Sequence, residues 1–184
     1  MEKIEIRKMM RAKISEFDGK QIMHYSNAIV NHIERCDIFQ KAESIFLFNS
    51  LEYEPQMQRL IQKSLDMGKR VYLPTLVFDE MYPVEVFENT KYYLGKYNIS
   101  EPFGDIYFGD IDITVMPLTA FDKDLNRIGK GGGYYDKYLS NHHTYKMGVG
   151  YSVLEIDKIY TLNYDVKLDA VVTEKGILYA DNKR

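Results

Sequence analysis

Residues 44–74, SIFLFNSLEYEPQMQRLIQKSLDMGKRVYLP, decide the fold class of this chain. SIFLF (44–48) is a short apolar run of good β-formers, the composition of a buried strand. NSLEYEPQ (49–56) reads as a loop. Met57, Leu60, Ile61 and Leu65 then share one face of a helix, which Gly68 ends. RVYLP (70–74) is the next strand, with its end expected at Pro74. This strand–loop–helix–strand order implies a right-handed crossover and a parallel sheet. Ligands of such sheets sit beyond the carboxyl ends of the strands, which makes residues 49–56 part of a candidate site.

The pattern continues in both directions. Ile6, Met9, Met10, Ile14 and Phe17 fall near helical spacing over residues 2–17, and Ile22, Ile29, Val30 and Ile33 do so over about 20–35. Downstream, MYPVEVF (81–87) alternates like a strand, and DITVM (112–116) is a buried strand ended by Pro117. Residues 93–104 read as an irregular segment. YKMGVGY (145–151) is a further strand whose glycines suggest close backbone approach. Strands at 169–173 and 177–179 complete the sheet.

With 184 residues, of which 45% are apolar, the chain is expected to form a single domain, 1–184, with a full core. A net charge of −3 offers no electrostatic footprint for nucleic acid. The lone Cys36 excludes an internal disulfide and a cysteine-based zinc site. His24 and His32 lie eight residues apart, and the adjacent His142 and His143 diverge without a third ligand near them, so neither pair reads as a metal site. The N-terminus carries charges throughout, and no apolar run reaches the roughly 18 residues of a membrane span. A cytoplasmic protein without membrane or nucleic-acid partners is the expectation.

The chemistry concentrates in RIGKGGGYYDKYL (127–139). Gly129, Gly131, Gly132 and Gly133 strip side chains from a short loop, which lets backbone N–H groups approach a ligand. Arg127 and Lys130 add positive charge, and the residues from Tyr134 onward have the composition of a short helix. A glycine loop feeding a helix N-terminus is an anion site, because unpaired amides and the helix dipole both favour negative charge there. Asp136 would sit where it can hold a Mg²⁺ ion riding on a phosphate. The alternative is a glycine turn that packs a helix closely on a sheet. No Lys-Ser or Lys-Thr pair closes the loop, so it is not a Walker A sequence. Lys3, Arg7 and Arg11 recur every four residues and form one stripe, which by spacing alone is a solvated basic face.

Residues 121–139, FDKDLNRIGKGGGYYDKYL, resemble the signature of the 5-formyltetrahydrofolate cyclo-ligase family, roughly F-D-x-x-G-x-R-L-G-x-G-x-G-Y-Y-D-x-x-L. The match runs through Phe121, Asp122, Arg127, Gly129, Gly131, Gly133, Tyr134, Tyr135, Asp136 and Leu139; Leu125 stands where the family has glycine, and Ile128 replaces leucine. The family's N-terminal Lys-x-x-Leu-Arg pattern is similar to Lys3, Ile6 and Arg7. Its folate-loop pattern, Glu-x-(acid or Asn)-Thr, aligns with Glu54, Pro55, Gln56 and Met57, and Leu51 falls at an apolar substrate contact. By local reading alone, Glu54 is equally a cap of the following helix. The family's Gly-Ile-x-Glu-Pro loop resembles Ile99, Glu101 and Pro102, with Asn98 for glycine. Its closing segment resembles Asp165, Asp169, Val172, Thr173 and Glu174.

The resemblance implies a three-layer α/β, Rossmann-like sandwich with a mostly parallel central sheet flanked by helices. It implies ATP- and Mg²⁺-dependent cyclisation of 5-formyltetrahydrofolate, with or without a polyglutamate tail, to 5,10-methenyltetrahydrofolate by a monomer. The implied ATP contacts are Lys3, Ile4, Arg7, Arg127, Gly129, Lys130, Gly131, Gly132, Gly133, Tyr134 and Tyr135. Arg127, Lys130 and Tyr134 would serve the chemistry, and Leu51, Glu54, Gln56 and Tyr134 the folate. Asp136 and Asp165 would hold Mg²⁺, with Asp169 as the alternative second ligand. On this reading Arg127→Ala abolishes turnover with the fold intact. Two other readings stay open, an ATP-independent enzyme acting on sugar phosphates and a non-catalytic nucleotide- or folate-binding module.

Overall fold

The computed structural model describes residues 2–180, so the ends of the expected 1–184 domain lie outside the described residues. Helices α1 (Lys3–Ile14), α2 (Gly19–Arg35) and the short α3 (Asp37–Lys41) open the chain. Strand β1 (Ser44–Phe46), helix α4 (Gln58–Asp66) and the hairpin of β2 (Arg70–Val77) and β3 (Glu80–Val86) follow. A small hairpin, β4 (Tyr92–Leu94) and β5 (Ser100–Pro102), precedes β6 (Ile113–Pro117). Another, β7 (Ala120–Phe121) and β8 (Arg127–Ile128), leads into α5 (Tyr134–Asn141), and β9 (Tyr145–Val149), β10 (Ala170–Thr173) and β11 (Gly176–Tyr179) come last.

Seven strands form one sheet in the order β11-β10-β9-β6-β1-β2-β3. The five inner strands run parallel, and β11 and β3 border the two edges antiparallel. Inner strands covered on both faces have no solvent side, which explains the unbroken burial of Ser44–Phe46, of 113–116 and of Ala170–Thr173. Helix α2 lies on β10 and β11 and meets α4, which packs on β2. Helix α5 packs against β3, and its Tyr138 ring meets Phe46 of β1 edge-on at 5.1 Å. The result is a three-layer α/β arrangement with helices flanking a mostly parallel sheet, as the resemblance implied. No helix among the described residues is long and apolar enough to cross a membrane.

Local chemistry sets the element ends. Asp18 caps α2 by accepting the Gln21 N–H at 2.7 Å, and Ile22, Ile29, Val30 and Ile33 form its buried face. Asp112 joins the starts of two central strands, because its Oδ2 accepts the Glu43 and Ser44 N–H groups at 2.8 and 2.9 Å. Gly148 in β9 leaves room for the Leu118 and Leu168 side chains, so side chains and not backbone make the close approach there.

Three expectations change. Strand β2 does not stop at Pro74 but runs to Val77, because Pro74 lies opposite Pro83 of β3. In an antiparallel pair every second position exchanges no hydrogen bonds, so two prolines facing each other remove no donor from the ladder. The segment at 93–104 is not irregular throughout, since β4 and β5 pair within it. The turn of the β7–β8 hairpin holds Leu125 at φ +64°, although its side chain is buried. A left-handed backbone costs a non-glycine residue about 1–2 kcal/mol. Burying leucine contributes about 1.5–3 kcal/mol, which explains why the turn tolerates it.

Leu125→Ala keeps the strained backbone and loses the packing, so it should destabilise by about 2–5 kcal/mol in denaturant unfolding. Leu125→Gly loses the same packing but relieves the backbone, and should come out about 1 kcal/mol more stable than the alanine variant. The reverse order would show that the turn carries no strain. Partial burial opposes the Asp112 charge, but the two backbone donors outweigh it and hold its pKa below the ordinary 3.8. A depressed carboxyl pKa means stability that is present at neutral pH and lost as pH falls through the folded value. The stability gap between the native protein and Asp112→Ala should therefore be constant at neutral pH and close below about pH 4.

Candidate active site

Strands β1 and β6 are parallel neighbours, yet the chain leaves β1 toward β2 on one side while β6 is followed in the sheet by β9 on the other. Such a switch point splits the loops at the carboxyl edge and opens a crevice between them. Here the crevice is a cleft of about 760 Å³, lined by residues after β1, the glycine loop, the start of α1 and the β4–β5 hairpin. That volume suits a small-molecule ligand site. Lys3, Arg7, Arg11, Lys96, Arg127 and Lys130 line it against the three carboxylates Glu101, Asp136 and Asp165. A chain with net charge −3 thus concentrates positive charge in its cleft. Phe48, Leu51, Leu76, Met81 and Ile99 supply an apolar wall.

The glycine loop bends through Gly131 at φ +110° and Gly133 at φ +68°, the latter immediately before α5. Gly132 carries no side chain because the Tyr134 ring lies only 2.5 Å from where a Cβ would stand. Gly129 is different, since a Cβ there would meet nothing within 4 Å, and the residue lines the cleft. The basic stripe of α1 is not a solvated face. Arg7 Nε donates to the Gly129 carbonyl at 2.8 Å, and Lys3 Nζ pairs with Asp165 at 2.5 Å. Ile4, by contrast, is 76% exposed and does not line the cleft.

Arg127 is buried, pairs with Asp136 Oδ1 at 3.0 Å and donates to the Val166 carbonyl at 2.6 Å. Asp136 Oδ1 also accepts the Val166 N–H at 3.1 Å. Removing Arg127 therefore strips the partner from a partly buried carboxylate, and the expectation that Arg127→Ala leaves the fold intact does not fit this geometry. Lys130 Nζ pairs with Glu54 Oε1 at 2.5 Å, and Glu54 Oε2 accepts the Leu51 N–H at 2.8 Å. Glu54 is accordingly a tie between two loops and not a helix cap. Gln56 does not line the cleft; its amide donates to the Leu51 and Glu54 carbonyls at 2.8 and 2.7 Å and closes that loop. Met57 is core, and its N–H is taken by Ser50 Oγ at 3.1 Å.

Tyr134 and Tyr135 both line the cleft. The Tyr134 hydroxyl lies 3.3 Å from that of Tyr97, and burial, with Glu54 adding to it, raises the Tyr135 pKa well above its ordinary value. Of the alternative carboxylates, Asp165 lines the cleft, whereas Asp169 is bound to Lys146 where β9 and β10 begin, at the opposite end of the sheet. Burial opposes the Asp165 charge, but Lys3 and the Leu162 N–H outweigh it and lower its pKa. Asp136 Oδ2 and Asp165 Oδ1 have no partner among the described residues, so each aspartate keeps one oxygen for a hard cation. None of the histidines joins a metal cluster, since no group of three or more His, Cys, Asp or Glu is so placed among the described residues.

The β4–β5 hairpin is the part that sequence reasoning missed. It brings Lys96, Tyr97 and Asn98 to the cleft rim through positive φ at Tyr97 and Asn98. Asparagine tolerates this conformation better than other side chains, which explains Asn98 where the family has glycine. Buried Glu101 anchors the hairpin by accepting from Thr75 Oγ1, the Leu76 N–H and the Tyr93 hydroxyl at 2.8–2.9 Å.

The chain is similar to known proteins over most of its length. The model of the 5-formyltetrahydrofolate cyclo-ligase family matches residues 1–174. The 5-formyltetrahydrofolate cyclo-ligase of Escherichia coli is 31% identical over 74% of this chain and 80% of its own length. That of Haemophilus influenzae is 30% identical over 89% of this chain and 91% of its own. The solution structure of Aquifex aeolicus 5,10-methenyltetrahydrofolate synthetase superposes with a TM-score of 0.89 at 26% identity, covering 100% of this chain and 95% of that one. A family match over residues 1–174, with relatives at 30–31% identity and a superposable fold, shows that this chain belongs to the 5-formyltetrahydrofolate cyclo-ligase family, a family of ligases.

Proposed function

We propose that the cleft of this single-domain enzyme binds ATP with Mg²⁺ beside 5-formyltetrahydrofolate and closes the folate ring to 5,10-methenyltetrahydrofolate, releasing ADP and phosphate. The observation that carries this reading is the bipartite cleft, with a cation-rich glycine loop on one side and an apolar wall on the other. The loop amides, Arg127 and Lys130 take the phosphates, and Lys3 and Arg7 close over the nucleotide from α1. Phe48, Leu51, Leu76 and Met81 face the flat pterin. Asp136 and Asp165 hold the cation, which supplies charge neutralisation on the phosphate oxygens.

The formyl group on N5 is an amide and a poor electrophile. Transfer of the γ-phosphoryl group to its oxygen makes that oxygen a leaving group. N10 of the same molecule then attacks the formyl carbon, phosphate departs with the former formyl oxygen, and N10 loses its proton as the ring closes. The attacker is already tethered, so no serine or cysteine nucleophile is required, and orientation supplies much of the rate. Tyr134 stands between the glycine loop and the β4–β5 hairpin, where its hydroxyl serves the transferred group. The Pro55–Met57 region departs from the family's folate-loop pattern, with Met57 at the threonine position. Met57 is buried in the core, so its change removes nothing from the cleft wall.

Growth of the methenyl-folate absorbance band with purified protein, Mg²⁺, ATP and 5-formyltetrahydrofolate tests the reading. Absence of that growth, with both ligands bound, refutes catalysis. Gly129→Ala should leave stability within about 0.5 kcal/mol and weaken nucleotide binding about tenfold or more, because its methyl group enters only the ligand's space. Arg127→Met should lose turnover and also about 3–5 kcal/mol of stability in denaturant unfolding, owing to the partner it leaves unpaired.

A further inference from the structure

Lys130 and Glu54 occupy the boundary between the two halves of the cleft. Lys130 belongs to the glycine loop and Glu54 to the loop after β1, and their ion pair at 2.5 Å is the charged link between them. The two ends differ. The Glu54 side chain is 6% exposed and the Lys130 side chain 39%. Glu54 sits in a small pocket of about 20 Å³ beside the main cleft, and Arg11, Tyr53 and Lys130 line both spaces. Lys130 therefore stands between Glu54 and the cleft. Through its other oxygen Glu54 holds the Leu51 N–H, and Leu51 lies on the apolar wall.

Resting on the function proposed above, we infer that this pair couples the two ligand sites, with Lys130 as a switch and Glu54 as a positioning residue. Lys130 carries one charge and faces two competing anions, the Glu54 carboxylate and an incoming phosphate. When phosphate draws Lys130 away, a buried carboxylate is left without its cation, which opposes nucleotide binding. The same movement opens Glu54 to the cleft. A tetrahydropterin carries N–H groups at its ring edge, and such donors replace the lysine on Glu54. Each ligand thereby removes the penalty that opposes the other, so the coupling is positive and, by linkage, reciprocal.

The experiment is calorimetric titration of the β,γ-imido analogue of ATP with Mg²⁺, in the presence and absence of 5-formyltetrahydrofolate. In the native protein folate should tighten the analogue about tenfold. Glu54→Gln keeps an acceptor for Leu51 but no longer holds the lysine charge. It should bind the analogue about fivefold tighter without folate and show less than about a twofold response to folate, a signature that mere loosening of the loop does not produce. Should Glu54→Gln fail to fold by circular dichroism, Lys130→Gln retains a donor for Glu54 at the more exposed end of the pair. Its folate affinity should not respond to the nucleotide. Independent binding of the two ligands to the native protein overturns the coupling, as does a tenfold response surviving in either folded variant. If the native protein binds neither ligand, the proposed function itself fails and the coupling falls with it.

Discussion

The parallel pairing of β1 with β6 at the centre of the sheet is the constraint on which the rest depends. Ile45 and Phe46 sit beside Ile113 and Thr114, so both strands point their carboxyl ends to the same edge. Their successors leave in opposite directions, and the loops cannot cover the gap between them. The β1 loop, the β7–β8 hairpin with its glycine loop, and the start of α1 all converge there. The buried sheet positions them.

What keeps the convergence rigid is a set of charged ties. Lys3 holds Asp165, Arg7 holds the Gly129 carbonyl, Arg127 holds Asp136 and Val166, and Lys130 holds Glu54. Except for Arg127–Asp136, which closes the glycine loop locally, these ties cross between segments far apart in the chain, and the Arg127 and Lys130 pairs each have one side chain almost wholly buried. A buried pair contributes little net stability against a hydrophobic replacement, yet breaking one is costly. Such pairs specify geometry more than they stabilise it. They also hold Lys3, Arg7, Arg127 and Lys130 along one cleft.

Departures from the family pattern show where sequence reading and physics meet. Leu125 and Asn98 both replace a glycine, and both backbones are left-handed. Asn98 fits because its side chain tolerates that conformation, whereas Leu125 fits because burial offsets the strain. Met57 lacks the family's hydroxyl but lies in the core, where Ser50 takes its N–H. Pro74 reads as a strand end, and only its pairing with Pro83 shows why the strand continues. Apart from Asn98, whose own side chain suffices, the outcome depends on packing or pairing that the local sequence does not display.

Sequence alone determined the class of fold and the chemistry of the central motif. Apolar runs of strand length alternating with helical periodicity call for a covered parallel sheet, and a glycine loop opening a helix is a candidate anion site. It also placed Lys3, Arg7, Arg127, Lys130, Asp136 and Asp165 in one functional group through resemblance. Tertiary structure decided that the α1 stripe, solvated by its spacing alone, faces the cleft, separated Asp165 from the alternative Asp169, and brought Lys96 and Tyr97 to the rim through the β4–β5 hairpin. Those outcomes depend on which end of a strand a residue occupies and on partners up to 162 positions away. Periodicity and local motifs carry no information over that range, because contacts at such separations are chosen by how the whole core packs.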